Sequence, residues 1–349
     1  DGWGGRMGAA MVDGHIAVLG TGSWGTTFAQ ILADAGHDVI MRGRNQVVVD
    51  MINDHENSRY VPGLTLSDRI RATTDMEEAV RGASAVVVAV PTKVVGETVK
   101  AAHEINPDAI YVSLSKGIDA KTGKLVADVM EDVGGVPADQ IAIISGPNLS
   151  MEIAEKQPAA TVVASSNFDT ARTVAKACHN AYFRPYVSTD IIGVQVAGAA
   201  KNVVALAIGA SEGMGLGANT RATLITRGLA EITRLGKAMG ADPITFSGLA
   251  GVGDLIATCS SKLSRNYSLG YRMGRGMDLQ EALSLSAGVA EGAKTAVPLL
   301  EIANCYGVDM PITTGVVEVI SGRANVTQMG EMLLGRPQKM DGWEIELLD

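Results

Sequence analysis

His15-Ile16-Ala17-Val18-Leu19-Gly20-Thr21-Gly22-Ser23-Trp24-Gly25 begins as a short aliphatic run and ends in glycines spaced G-x-G-x-x-G. The run predicts a buried strand, and residues 24–35 after it predict a helix. Gly20 then permits the tight turn between them. Gly22 removes a side chain where a pyrophosphate approaches, and Gly25 allows helix and strand to pack closely. The N–H groups and dipole of the helix N-terminus attract phosphate. An ordinary glycine turn is the competing reading, and the strand–turn–helix context weighs against it.

Outward from this unit, residues 37–41 supply the next strand, as expected at the start of a parallel α/β sheet. Further strands are expected at 84–90, 109–114, 140–144, 159–164 and 183–187, with helices at 124–133 and 170–179. Near residue 190 the rhythm changes. Long Ala/Leu/Ile/Met stretches at 193–212, 220–239, 278–286, 293–306 and 313–320 predict helices, with glycines at 213–217 and 248–253 interrupting them. The expected architecture is α/β, with a Rossmann-like N-terminal domain over 15–192 and a mainly α-helical domain over 193–340.

Composition agrees with two folded domains. The chain has 349 residues, 46% hydrophobic and 19% charged, which excludes a disordered chain. A formal charge of −9 argues against a general nucleic-acid binder. The three cysteines form no paired motif and the five histidines are dispersed, so neither a disulfide framework nor an obligatory metal is expected. Residues 1–14 read as a loose leader without the basic start and apolar block of a secretory signal. Residues 191–210 are long enough to span a bilayer. Lys201 at their midpoint favours a helix buried in a soluble protein instead, with no integral membrane segment.

The chemistry-bearing residues lie at the ends of these elements. Where an acidic residue would select the ribose hydroxyls of NAD, the chain has Arg42 and Arg44. Either can meet a 2′-phosphate, so NADP(H) is favoured over NAD(H), against the reading of a solvated basic turn. Lys116 follows a predicted strand, on the ligand-facing edge of a parallel sheet, or else is a plain surface lysine. Lys201 sits among small and aliphatic residues. Its ammonium must either snorkel to water or line a polar cleft, where desolvation would lower its pKa toward acid–base work.

Several blocks in order then resemble bacterial NAD(P)-dependent glycerol-3-phosphate dehydrogenases across residues 15–325. They are GTGSWGT at 20–26, NSRYVPG at 57–63, SKGI at 115–118, SGPNLSMEIA at 145–154, AGAAKNVVALAIG at 197–209, GLGANTRATLITRGLAE at 215–231 and GLAGVGDLIATCSSKLSRNYSLG at 248–270. Asn148 departs from the Ser or Thr of the family pattern, and Ser150 stands where alanine is common. The resemblance implies Lys201 as catalytic acid/base. It implies a substrate site of Lys116, Gly146, Asp254, Ser264, Arg265 and Asn266. On the coenzyme side it implies Gly20, Gly22, Ser23, Trp24, Gly25, Arg42, Arg44, Tyr60, Lys116, Ser150, Arg265, Val289 and Glu291. The implied substrates are dihydroxyacetone phosphate and sn-glycerol 3-phosphate, in a cytoplasmic enzyme serving phospholipid synthesis. The extended apolar helices are compatible with a homodimer. A related two-domain hydroxy-acid or sugar-acid dehydrogenase is the alternative, and recognition of phosphate separates the two. A non-catalytic nucleotide sensor would need neither Lys116 nor Lys201.

Overall fold

The structure, a computed structural model, describes residues 14–285 and 290–335. Val289 and the end of the expected second domain, at 340, lie outside them. The first half runs β1 (Ile16–Leu19), α1 (Ser23–Asp34), β2 (Val39–Arg42), α2 (Gln46–Asn53), β3 (Ile70–Thr73), α3 (Met76–Val80), β4 (Ala85–Val88), α4 (Val95–Ile105) and β5 (Ile110–Ser113). It continues through β6 (Ile118–Asp119), β7 (Lys124–Leu125), α5 (Val126–Asp132), β8 (Ile141–Ser145), α6 (Ser150–Ala154), β9 (Ala159–Ala164), α7 (Phe168–Cys178) and β10 (Phe183–Ser188). The second half is helical among the described residues: α8 (Ile191–Gly213), α9 (Ala218–Ala238), α10 (Asp254–Ser260), α11 (Arg265–Gly274), α12 (Leu279–Ser284), α13 (Glu291–Cys305), α14 (Pro311–Ile320) and α15 (Val326–Leu334). The Rossmann-like α/β half followed by a mainly helical half is the architecture expected from the hydrophobic rhythm.

One sheet holds eight strands in the order β10-β9-β8-β5-β4-β1-β2-β3. β1 pairs in parallel with both β2 and β4, and β4, β5 and β8 continue in parallel. The strand order therefore reverses at β1, which opens a crevice at the carboxyl edge of the sheet. The C-terminal ends of β1, β2, β5 and β8 lie at that edge, and those ends and the segments just after them carry Gly20, Arg42, Lys116 and Gly146. β9 departs from the parallel pattern by running antiparallel to β8.

The expected helix over 124–133 is corrected at its start. Lys124 and Leu125 pair antiparallel with Asp119 and Ile118, and the helix begins at Val126. A hydrophobic stretch too short to show its period hides such a hairpin. Helices α2, α3 and α4 and strand β3 are amphipathic or polar segments that the aliphatic-run reading passes over.

α8 is the axis of the second half. Helices α9, α10, α11, α13 and α14 pack around it, and nearly all its residues are buried. A helix enclosed on all sides need not be amphipathic. This explains why it is long and apolar enough to cross a membrane although it is mostly buried inside the protein. Asp190 caps its N-terminus by accepting from Gly193 N at 2.9 Å, and its other oxygen accepts from Thr245 Oγ1 at 2.6 Å.

Glu231 of α9 locks the far side of this half. It is 1% exposed and accepts from the backbone N–H groups of Ile312 (2.6 Å) and Thr313 (3.3 Å) at the start of α14. Met310, the N-cap residue of α14, offers no side-chain acceptor, so Glu231 supplies one from another helix. Burial pushes this carboxyl up to about 7, against the opposing pull of those N–H groups and of Arg234. A carboxyl that holds its proton more tightly in the folded state adds stability below its unfolded pKa. That contribution is lost as pH rises through the folded value. Thermal unfolding should show a stability loss of about 3 kcal/mol from this group between pH 4.5 and 7. In Glu231→Gln that pH-dependent part should vanish, with about 1 kcal/mol lost at low pH from the weakened cap.

Candidate active site

The glycine-rich turn fits a dinucleotide. Gly20 has φ +122°, and a Cβ there would lie 2.4 Å from Ala89 O, so only glycine makes this turn without strain. A Cβ on Gly22 would meet nothing within 4 Å, which leaves the space above the turn open. The N-terminus of α1 has no side-chain cap. Its N–H groups remain available to an anion. Ser23 Oγ lies 2.8 Å from Ser150 Oγ, and Thr27 Oγ1 donates to Ser150 O at 3.4 Å, which joins α1 to α6. Trp24 packs edge-on against Phe28. At the end of β2, Arg42 Nε is buried without a hydrogen-bond partner, while Arg44 is exposed. Tyr60 is 38% exposed with the Arg59 guanidinium over its ring. An open turn, a bare helix N-terminus and an unsatisfied guanidinium nitrogen suit an adenine dinucleotide with its phosphates.

Lys116, Lys201 and Asp254 meet beside this edge. Lys116 leaves the sheet after β5. Lys201 comes from the middle of α8, and Asp254 is the first residue of α10. Asp254 Oδ1 accepts from Lys201 Nζ at 2.5 Å and Oδ2 accepts from Lys116 Nζ at 2.8 Å. Lys116 Nζ also donates to Gly146 O at 2.9 Å, and Lys201 Nζ to Thr258 Oγ1 at 2.8 Å. Lys201 is 7% exposed and Asp254 2%. The buried ammonium of α8 therefore does not snorkel to water: it is held in a polar cluster.

Local sequence explains the meeting. Gly198 lets α8 pass close over the sheet edge, since a Cβ there would lie 2.8 Å from Ser145 Oγ. The chain before Asp254 makes a wide turn over Leu249–Gly253. A Cβ on Gly251 would lie 2.1 Å from Phe246 O, so this approach of two backbone segments requires glycine. The turn delivers Asp254 and, four residues later on the same helical face, Thr258.

Charge balance follows from burial. Desolvation pushes the Lys116 ammonium down to about 8, while Asp254 pulls it up and Lys201 pushes it further down. Burial by itself would raise the Asp254 carboxyl, but the ammoniums of Lys116 and Lys201 outweigh it and hold the group below its usual value. Two cations on one carboxylate leave an excess of positive charge in a closed space, which favours an anionic ligand or a developing oxyanion.

The remaining expected residues separate into two kinds. Arg265 is the first residue of α11 and is exposed. It adds its charge to helix N–H groups that already favour anions. Ser264 is engaged locally, its Oγ accepting from Tyr267 N at 3.2 Å as the N-cap of α11. Asn266 is buried, donates to Asn202 Oδ1 at 3.0 Å and accepts from Gly292 N at 2.8 Å. It thereby ties α11 to α8 and to the start of α13. Glu291 begins α13. Burial raises its carboxyl, against the pull of Arg265, Lys201 and Lys116.

Thr258, Asn202 and Asn57 carry no motif that marks them as site residues in the sequence. The four-residue spacing of Asp254 and Thr258 is the one local signal that pointed to Thr258. Asn148, the departure from the family pattern, accepts from Thr161 Oγ1 at 2.8 Å through its own side-chain oxygen.

A crevice built for a dinucleotide, with a buried Lys116–Asp254–Lys201 cluster beside it, places the chain among two-domain nicotinamide-dependent dehydrogenases. Models of the NAD-dependent glycerol-3-phosphate dehydrogenase N-terminus and C-terminus match residues 15–171 and 190–331. The chain is 52% identical over 320 residues to a glycerol-3-phosphate dehydrogenase, NAD(P)+, of Streptomyces griseus subsp. griseus, covering 91% of this chain and 95% of that one. It is 48% identical over 330 residues to the enzyme of the same name from Corynebacterium aurimucosum, covering 94% and 99%. The crystal structure of glycerol-3-phosphate dehydrogenase from Coxiella burnetii matches with a TM-score of 0.87 at 33% identity, over 93% of this chain and 100% of that one. The chain belongs to the NAD-dependent glycerol-3-phosphate dehydrogenase family.

Asp254→Asn should lower turnover by at least about 100-fold, because two ammoniums would then share a buried space without a counter-charge. Coenzyme affinity, measured by fluorescence titration, should stay within about threefold.

Proposed function

We propose that the chain interconverts dihydroxyacetone phosphate and sn-glycerol 3-phosphate, with Lys201 as the proton-transferring residue and NADP(H) as the preferred coenzyme. The observation that carries this reading is the buried Lys201–Asp254–Lys116 cluster at the edge where the glycine-rich turn emerges.

Held by the glycine-rich turn of Gly20 and Gly22 and the N-terminus of α1, a nicotinamide coenzyme would supply or accept the hydride at C2. In the reducing direction, Lys201 donates a proton from its ammonium to the C2 oxygen as negative charge builds there, and in the oxidising direction it takes that proton back. Asp254 orients Lys201, with Thr258 holding the same ammonium from a second side. Lys116, fixed by Gly146 O and Asp254, adds positive potential. Arg265 and the N-terminus of α11 receive the phosphate, and the planar guanidinium suits that group better than a lysine would. Ser264 and Asn266 contribute to the same substrate side while holding α11 in place. Phosphate recognition is what favours this substrate over a simple hydroxy acid or sugar acid.

The coenzyme preference rests on Arg42 and Arg44 at the end of β2, where a 2′-phosphate would find two guanidinium groups in place of the acidic residue that selects NAD. The buried, unpartnered Nε of Arg42 supports that reading, since such a nitrogen is costly without an acceptor. We place the enzyme in the cytoplasm, as a homodimer, without a nucleic-acid partner.

Dihydroxyacetone phosphate added with NADPH should cause loss of the reduced nicotinamide's near-ultraviolet absorbance. No loss at high enzyme concentration overturns the assignment. Lys201→Ala should remove most turnover, by about 1,000-fold or more, while coenzyme affinity is largely kept. Replacing Arg42 and Arg44 by Ala should weaken NADPH more than NADH, by about tenfold in the ratio of kcat/KM values.

A further inference from the structure

Asn57 opens the loop Asn57-Ser58-Arg59-Tyr60-Val61-Pro62-Gly63, but its side chain faces inward and is 1% exposed. Its Nδ2 donates to Thr21 O at 3.1 Å and to Thr26 Oγ1 at 2.8 Å. Thr21 lies between Gly20 and Gly22 in the glycine-rich turn. Thr26 Oγ1 also donates to Thr21 O, at 3.3 Å, so the same carbonyl has two side-chain donors. On its other side, Thr21 is wedged against the strand end: a Cβ on Gly43 would lie 2.9 Å from Thr21 Cγ2. The backbone of Asn57 organises its own loop, its carbonyl accepting from Tyr60 N at 3.0 Å and Val61 N at 2.8 Å. Asn57 Oδ1 is buried with no partner. An acceptor left unsatisfied carries a cost, so the amide contributes through its donor end.

We infer that Asn57 is a positioning residue for coenzyme binding: its amide fixes the turn that receives the pyrophosphate and ties to it the loop carrying Tyr60. The inference rests on the coenzyme-binding reading of that turn. A peptide unit in a glycine-flanked turn rotates readily, and rotation would present a carbonyl oxygen, instead of an N–H group, to a diphosphate. With Thr21 O bonded to Asn57 and Thr26, this rotation requires breaking both hydrogen bonds. The turn is then organised before the ligand arrives, and the conformational cost of binding falls. The same amide joins turn and loop, so disorder in one loosens the other.

The test uses the full chain, with affinities for NADPH and ADP-ribose from titration and steady-state constants for NADPH and dihydroxyacetone phosphate. Asn57→Ala is expected to weaken both nucleotides about tenfold. It should raise KM for NADPH in step, and leave kcat and KM for dihydroxyacetone phosphate within about twofold. ADP-ribose lacks the nicotinamide, so a parallel loss locates the effect at the pyrophosphate end. Asn57→Asp should be worse than Asn57→Ala despite its matching shape, because a carboxylate presents acceptors to Thr21 O and adds negative charge near the phosphates. If Asn57→Ala does not fold, Thr26→Val provides the second measurement. It removes one of the two donors to Thr21 O and should weaken ADP-ribose by about two- to threefold. Unchanged nucleotide affinity in Asn57→Ala, or in Thr26→Val where that stands in for it, overturns the inference. So does an equal loss for dihydroxyacetone phosphate. Failure of the wild-type chain to bind NADPH would instead strike the coenzyme reading itself.

Discussion

The carboxylate of Asp254, shared between the ammoniums of Lys116 and Lys201, is the contact on which the site depends. It joins a lysine from the strand-bearing half to a lysine from the helical half. Removing three charges from water costs several kcal/mol per ion, and Coulomb attraction offsets this only when geometry and hydrogen bonding are good. Here both carboxylate oxygens are used, and each lysine has a further oxygen partner, in Gly146 O or Thr258 Oγ1. The arrangement is therefore tolerable without ligand but retains surplus positive charge. That surplus complements an anionic substrate and an oxygen gaining negative charge, and it fixes where the two halves meet.

The sequence disclosed those parts whose pattern is local. The aliphatic run and glycines at 15–25 set out β1, the turn and α1 because each step of that unit depends on adjacent residues. Lys201 was conspicuous for the same reason: a cation in a long apolar stretch must have a partner. What stayed hidden was the identity of that partner, because Asp254 lies more than fifty positions away and arrives through a turn that depends on Phe246 backbone meeting Gly251. The hairpin of β6 and β7 was also hidden, being too short for its alternation to register. Likewise, nothing in the neighbourhood of Asn57 announces a contact with the glycine-rich turn, since that contact forms only when the sheet brings the segments together.

The Ser264-Arg265-Asn266 block sets an exposed cation between two residues that brace its helix. The family resemblance implies all three at the substrate, and the hydrogen bonds show what else two of them hold. Ser264 terminates a helix and Asn266 spans to Asn202 and Gly292, while Arg265 projects from the same helix end. A cation at a helix N-terminus is opposed by the helix dipole. Its position is consistent with an anion there, which both the guanidinium and the free N–H groups attract. Because Asn202 is the next residue after Lys201, and Gly292 the next after Glu291, the Asn266 amide also sets the spacing between the segments that carry those two residues.

The distribution of charge explains how an acidic chain can serve anionic ligands. A net charge of −9 disfavours a general attraction for phosphates, so affinity must come from local fields. Lys116, Lys201, Arg42, Arg44 and Arg265 supply them from the carboxyl edge of the sheet and the helix ends that meet it. Acidic groups in the same region meet this field in two different ways: Asp254 is bound by both lysines, whereas burial raises the Glu291 carboxyl against the pull of Arg265, Lys201 and Lys116. In a space partly shielded from water, such a field acts over short distances with little screening. Positive potential is thereby concentrated where phosphates and the reacting oxygen would lie, while the rest of the surface keeps the acidic balance that favours solubility.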